Sequence, residues 1–228
     1  MKCAIMQPTY LPWAGYFNLI NSVDTFVFLD DVQFNRDSWQ VHNVFLRNKK
    51  THKLIVPVVK ANLKELICKI NIDNSKDWQS KHIDALHACY SSNKYGDCIV
   101  KMVSDVLMKK HSNLSNLNID LIKKLSSLLG IESSFVRSSN LDISTGGRGN
   151  YVESICREIG CDSYLSPVGA KKYLLSDGFD KIHDISLTFQ DFNPAPYIQE
   201  SVLNFESHLS IIDVIANIGS DKTKSYIK

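Results

Sequence analysis

The sequence predicts an α/β protein built on a doubly wound, mostly parallel sheet. Three observations carry that prediction. Short runs rich in apolar, aromatic and β-branched residues recur along the chain, segments of helical periodicity stand between them, and glycines and prolines fall at the joins. Strands that alternate with helices pair in parallel, because each helix carries the chain back across the sheet. A long stretch of purely helical spacing, about 77–130, interrupts the rhythm. The expected organisation is therefore a single α/β domain over residues 1–228 with one helical insertion.

The elements follow in order. Cys3–Met6 reads as a buried first strand that stops at Pro8, Phe17–Val23 as a helix, and Thr25–Leu29 as a second strand that ends abruptly in Asp30 and Asp31. Val41–Leu46 reads as a third strand and Lys49–Lys53 as a basic turn. Leu54–Val59 reads as a strand whose Pro57 marks an edge or end, and Ile67–Ile72 as a half-buried strand by its alternation. From Trp78 the apolar residues return every three or four positions through three helices, the last stopping at Gly130. Beyond it come a strand over Ser134–Ser138, a helix over Tyr151–Ile159 ended by Gly160, and a strand over Asp162–Leu165. A helix over Val168–Leu175, a strand over Lys181–Phe189 and a final helix from Ser210 to Gly219 complete the pattern.

Composition narrows the function classes. In 228 residues, 44% hydrophobic and 22% charged, a sizeable core can form. The formal net charge of +2 shows no basic excess of the kind that binds DNA, and weighs mildly against an RNA partner. No apolar run approaches the roughly 20 residues that cross a bilayer, and the opening apolar run is too short for a secretory signal. The six cysteines are scattered without zinc-site spacing, so free thiols, a cytoplasmic location and no metal are expected.

The chemistry concentrates at strand ends, where open α/β sheets bind ligands. Gln7, Thr9, Tyr10, Trp13, Gly15 and Tyr16 occupy the first loop, and Asp30, Asp31 and Gln33 follow the second strand. The aromatic residues suit stacking on a sugar or base, and Gly15 lets backbone approach a ligand at a helix start, whose free N–H groups favour phosphate. A carboxylate at a strand end, Asp31 or Asp30, can take a proton from an attacking amine, and His42 is a second candidate base. Trp39 and Asn43 lie near the same end. Ser166, Gly169 and Tyr173 repeat the strand, small-residue turn and helix logic of the first loop. Gly146-Gly147-Arg148-Gly149 precedes a helix but lacks the GxxxxGK[ST] phosphate loop, and no G-x-S-x-G nucleophile elbow is present.

Several of these blocks resemble the WbqC-like family of bacterial O-antigen and surface-polysaccharide gene clusters. They are A-I-M-Q-P-T-Y-L-P-W-A-G-Y-F-N-L-I at Ala4–Ile20, D-x-F-V-x-L-D-D-V-Q-F at Asp24–Phe34, Trp39 with Asn43, Y-L-S-P-V-G-A-K-K-Y at Tyr164–Tyr173, and S-I-I-D-V at Ser210–Val214. The chain departs from that family at Val41-His42-Asn43, where Asn-Arg-Asn is common, and near Arg148–Tyr151, where an acidic residue is common. The N-terminal block also distantly resembles the start of pantothenate synthetase, with Trp13 and Tyr16 where its two phosphate-binding histidines stand. That resemblance implies a Rossmann-like, nucleotidyl-transferase-like sheet and an amide-forming context.

The family resemblance implies transfer of an acyl or aminoacyl group, with glycine as one suggestion, to the amine of a nucleotide-linked amino sugar. The activated donor would be ATP plus acid, an acyl carrier protein, coenzyme A or an aminoacyl-tRNA. A non-catalytic sugar-nucleotide binding or assembly protein, or a nucleotidyl-transferase, is the alternative expectation.

Overall fold

The computed structural model describes the chain except residues 61, 63, 144–147 and 200–203. Its strands are β1 (Lys2–Met6), β2 (Thr25–Phe28), β3 (His42–Arg47), β4 (Lys50–Ile55), β5 (Ser134–Arg137), β6 (Ser163–Ser166) and β7 (Ser186–Phe189). Its helices are α1 (Ala14–Asn21), α2 (Trp78–Tyr90), α3 (Gly96–Leu107), α4 (Leu114–Leu128), α5 (Arg148–Glu158), α6 (Lys171–Ser176) and α7 (Ile211–Tyr226).

The main sheet has the order β5-β2-β1-β6-β7, and every pairing in it is parallel. This is the doubly wound arrangement the alternation predicts, with the chain stepping outward one way from β1 and then returning to the other side. Side chains alternate across the strands. Ala4, Phe26 and Phe28 face one apolar core with α1, α3, α4 and α7, whereas Cys3, Ile5 and Val27 face another with α5 and α6. Burial on both faces explains why β1 and β2 read as unbroken apolar runs.

Three consecutive helices, α2, α3 and α4, stand between β4 and β5. Asn113 caps α4 by accepting from Asn116 N at 3.0 Å. Gly130 and Gly160 end α4 and α5 with φ of +63° and +70°, a conformation open to glycine at little cost. Ser210 caps α7 through Ile212 N at 3.3 Å. The final helix does not stop at Gly219 as expected: Gly219, at φ +80°, only interrupts α7, which resumes beyond it to Tyr226. Tyr95 packs 3.0 Å from where a Cβ at Gly219 would stand, so the break is also a close approach.

Three further expectations are corrected. The Val41–Leu46 strand exists but joins β4 in a separate antiparallel hairpin, and most of the expected Lys49–Lys53 turn is β4 itself. The turn proper is Asn48 and Lys49, both at positive φ (50° and 64°), which matches the twist of a two-residue hairpin. Ile67–Ile72 is not a strand: Ile67–Lys69 form a 3₁₀ turn, and Ile67 and Ile70 are buried at the three-residue spacing of that turn. Of the expected Lys181–Phe189 strand, only Ser186–Phe189 pairs, because Phe179–Lys181 forms another 3₁₀ turn. Gly146 and Gly147 lie outside the described residues, while Arg148 and Gly149 open α5.

Asp30, immediately beyond β2, joins the sheet to the helical layer. Its side chain is fully buried, and its Oδ2 accepts from Arg137 Nε (2.9 Å) and Nη2 (2.5 Å) on β5 and from Ser115 Oγ (2.9 Å) on α4. Its Oδ1 accepts from Ser139 N at 3.2 Å. Removing one member of a buried, hydrogen-bonded ion pair strands the others, at about 3–5 kcal/mol. Asp30→Ala should lower unfolding stability by about that amount in urea titrations; a loss below about 1 kcal/mol would show that the pair does not hold these elements together.

Candidate functional site

The strand order reverses between β1 and β6, and a cleft of about 640 Å³ opens at the carboxyl ends of these strands. Such a crevice is where doubly wound sheets place ligands, and its size suits a small molecule. Gln7, Thr9 and Trp13 enter it from the β1–α1 loop and Gly15 and Tyr16 from the first turn of α1, Trp39 and Gln40 from the segment before β3, Gly169 from the turn after β6 and Tyr173 from α6. Gln190, Phe192 and His208 close it from beyond β7. A lobe of about 280 Å³ extends it past Pro12 and Asn43.

The β1–α1 loop is held from several directions. Leu11 takes a left-handed φ of +43°, which costs a β-carbon residue energy unless the surroundings enforce it. Asn43 Nδ2 donates to the carbonyls of Tyr10 (3.1 Å) and Leu11 (2.7 Å), and Ser210 Oγ donates to Leu11 O at 2.7 Å. The Trp13 ring then folds back over Gly15, so closely that a Cβ there would lie 2.2 Å from a ring carbon. Gly15 therefore makes room for this protein's own tryptophan. Trp13 stacks against His208 (ring centroids 4.7 Å apart, 31° between planes) and meets Phe192 at 5.7 Å.

Amides form the polar part of the wall. Gln40 Nε2 donates to Gln7 Oε1 at 2.8 Å, and Gln190 Nε2 donates to Gly15 O (2.7 Å) and Asn18 Oδ1 (2.6 Å). Tyr16, buried at the floor, donates to Gln7 O at 3.0 Å, and desolvation pushes its phenol well above the usual range. Burial likewise raises Tyr173, with Asp177 adding to it. Among the described residues of the wall, none carries a carboxylate, ammonium or guanidinium group. His208 is its one imidazole, held at φ +61° with Nδ1 2.8 Å from Ser207 Oγ.

The structure thus gathers Gln7, Thr9, Trp13, Gly15, Tyr16, Trp39, Gly169 and Tyr173 around one cleft, with Asn43 at its lobe. It does not bring the remaining candidates to that wall. Asp30 is sealed in its ion pair. Asp31 lies between β2, β5 and α5, where Ser138 Oγ donates to Oδ1 at 2.5 Å and the Tyr151 hydroxyl donates to Oδ2. His42 is buried beneath Trp39 (centroids 4.9 Å apart), where desolvation and then Lys53 lower its proton affinity. Ser166 is fully buried with its hydroxyl on Pro167 O at 3.1 Å, and Gln33 is exposed in a bridge with Leu66. Tyr10 points into the core, where its hydroxyl shares a hydrogen bond of 2.9 Å with His82 Nδ1.

Sequence reasoning missed Gln40, Gln190, Phe192 and His208. Gln190 follows the last residue of β7, so the strand-end rule applied there would have found it. Phe192 and His208 come from a segment without periodicity and carry no such signal.

The match to known proteins is consistent along the chain. The model of the WbqC-like protein family covers residues 7–225. The chain belongs to the WbqC-like family. This WbqC-like protein is also similar to the uncharacterized protein Rv1507c of Mycobacterium tuberculosis, with 30% identity over 222 residues that span 96% of this chain and 95% of the relative. No solved structure matches it. Among the described residues, no helix is long and apolar enough to cross a membrane.

Two consequences of the site can be measured. Burial lowers the His82 pKa from 6.5 to about 4, with the Ile55 carbonyl pulling weakly the other way. The unfolded chain thus binds a proton that the folded chain refuses, so this contribution is complete above pH 6.5 and is lost as pH falls toward 4. Denaturant titrations should show stability declining by about 3 kcal/mol across that window, and His82→Gln should flatten the slope. In Gly15→Ala, the added methyl should expel the Trp13 ring, reduce the near-ultraviolet tryptophan dichroism and cost about 1–3 kcal/mol. Unchanged dichroism would refute the close approach.

Proposed function

We propose that this WbqC-like protein transfers an acyl or aminoacyl group to the amine of a nucleotide-linked amino sugar for surface-polysaccharide synthesis. The observation that supports this reading is the cleft itself: tryptophan faces and primary amides surround a volume of about 640 Å³ with no fixed charge on the described wall. Aromatic faces pack against the apolar side of a sugar ring, and amides both donate to and accept from its hydroxyls. On this reading Trp13 and Trp39 form the platform, and Gln7, Gln40 and Gln190 read hydroxyls. The amino end of α1 would face the diphosphate.

In the transfer step the sugar amine attacks the carbonyl carbon of the activated donor. A C–N bond forms, the bond from carbon to the leaving group breaks, and the leaving group departs with its electron pair. The amine proton passes to His208 through Nε2, since Nδ1 faces Ser207. His208 replaces Asp31 and Asp30 in this role because those carboxylates are engaged elsewhere. The donor is ATP plus acid, an acyl carrier protein, coenzyme A or an aminoacyl-tRNA.

A second reading, a sugar-nucleotide binding protein without chemistry, is favoured by the internal engagement of both aspartates. Calorimetry with a UDP-linked amino sugar, followed by mass spectrometry of the sugar across the four donor classes, separates the two. The transferase should bind and yield an acylated sugar. His208→Gln should lower turnover about 100-fold or more with binding unchanged, as loss of a general base does, and Trp13→Ala should weaken binding at least tenfold. Binding without product for every donor would select the second reading, and no binding would overturn both.

A further inference from the structure

The other end of the sheet carries a cluster of sulfur. Cys3 on β1, Cys156 on α5 and Cys161 in the turn after Gly160 are buried, and their three Sγ atoms lie within 4.8 Å of one another. Cys3 and Cys156 are 3.8 Å apart. The local backbone produces half of this arrangement. Gly160 at φ +70° closes α5 so that Cys161 N donates to Cys156 O at 2.7 Å, and this helix ending sets the two side chains against each other. The parallel sheet then lays Cys3 across them. Apolar packing asks for volume at these positions, which alanine or valine also supplies. It does not ask that sulfurs from three elements converge on one point.

We propose that Cys3, Cys156 and Cys161 form a three-coordinate thiolate site for a soft monovalent cation of the copper(I) class. Three thiolates around an ion at about 2.3 Å place their sulfurs about 4.0 Å apart, close to the spacing present. Thiolate-only sites select soft ions. Among the described residues no histidine, aspartate or glutamate joins the group, and its cysteines belong to an apolar cluster that also holds Val27, Val152 and Ile155. The fourth protein ligand of a structural zinc site is thus not supplied among the described residues. Binding releases thiol protons, including the one Cys161 directs at Ser163 O (3.3 Å). The sulfur cluster and the cleft stand at opposite ends of β1, so the inference does not depend on the proposed transfer reaction.

The test uses the reduced full-length protein, titrated anaerobically with Cu(I) from its acetonitrile complex against a bathocuproine competitor. One ion per chain should be retained by wild type and by the C68S/C89S/C98S control, and Cys161→Ser and Cys3→Ser should each lose it. X-ray absorption on the unmutated protein should show three sulfurs near 2.3 Å, a readout that needs no variant to fold. Absence of binding, loss in the control with retention in C161S, or nitrogen or oxygen in the first coordination shell would overturn the site. Retention of Zn(II) but not Cu(I) would overturn the ion class.

Discussion

A carboxylate buried away from the surface has to be satisfied by protein groups, and at Asp30 that demand ties several elements together. Its oxygens gather a guanidinium from β5, a hydroxyl from α4 and a backbone N–H beyond β5, while its own carbonyl accepts from Cys68 N at 2.7 Å. The segment between β4 and β5 contributes both Cys68 and α4. A stretch that interrupts the strand–helix rhythm is thereby fixed to the carboxyl edge of the sheet. From that edge Asn118 of α4 donates to Pro8 O and Gln40 O, at 3.2 and 2.8 Å. One wall of the cleft is consequently braced by α4, although no residue of α2, α3 or α4 lines it.

The legible part of the fold was the part governed by local rules. The alternation of β1 and β2 with helices, the helical spacing of α2 to α4, and the glycines that end α4 and α5 are all statements about neighbours in sequence. Pairing is not. Val41–Leu46 reads the same whether its partner is the parallel sheet or β4, and the hairpin arises because Asn48 and Lys49 accept positive φ, which neither residue type announces strongly. Ile67–Ile72 alternates like a strand, yet Ile67 and Ile70 follow the spacing of a 3₁₀ turn, and Ile72 only bridges to Val58.

The candidate site divides in the same way. The aromatic and amide residues of the β1–α1 loop were legible because strand ends in such sheets face the ligand. The aspartates were legible as polar residues at a strand end, but not as partners of Arg137, Ser138 and Tyr151, more than a hundred positions away. Charge in sequence marks a cost of burial without telling what offsets it. His208 was illegible for a related reason, since its place over Trp13 depends on a left-handed backbone in an aperiodic segment.

The first loop and the last helix are sewn together. Ser210 Oγ and Ile211 N bind the carbonyls of Leu11 and Pro12, and Asn18 donates to Ile227 O at 3.0 Å. The strained turn at Leu11 thus leans on residues about two hundred positions downstream. During synthesis, the ribosome releases β1 and its loop long before it makes α7. Until then the loop has the Asn43 amide but lacks the Ser210 hydroxyl and the Ile211 N–H that complete its hold on Leu11 and Pro12. The cleft is therefore completed late, because Gln190, Phe192 and His208 of its wall follow the aromatic residues of the first loop by more than 170 positions. Contacts of such long range also make for slow folding.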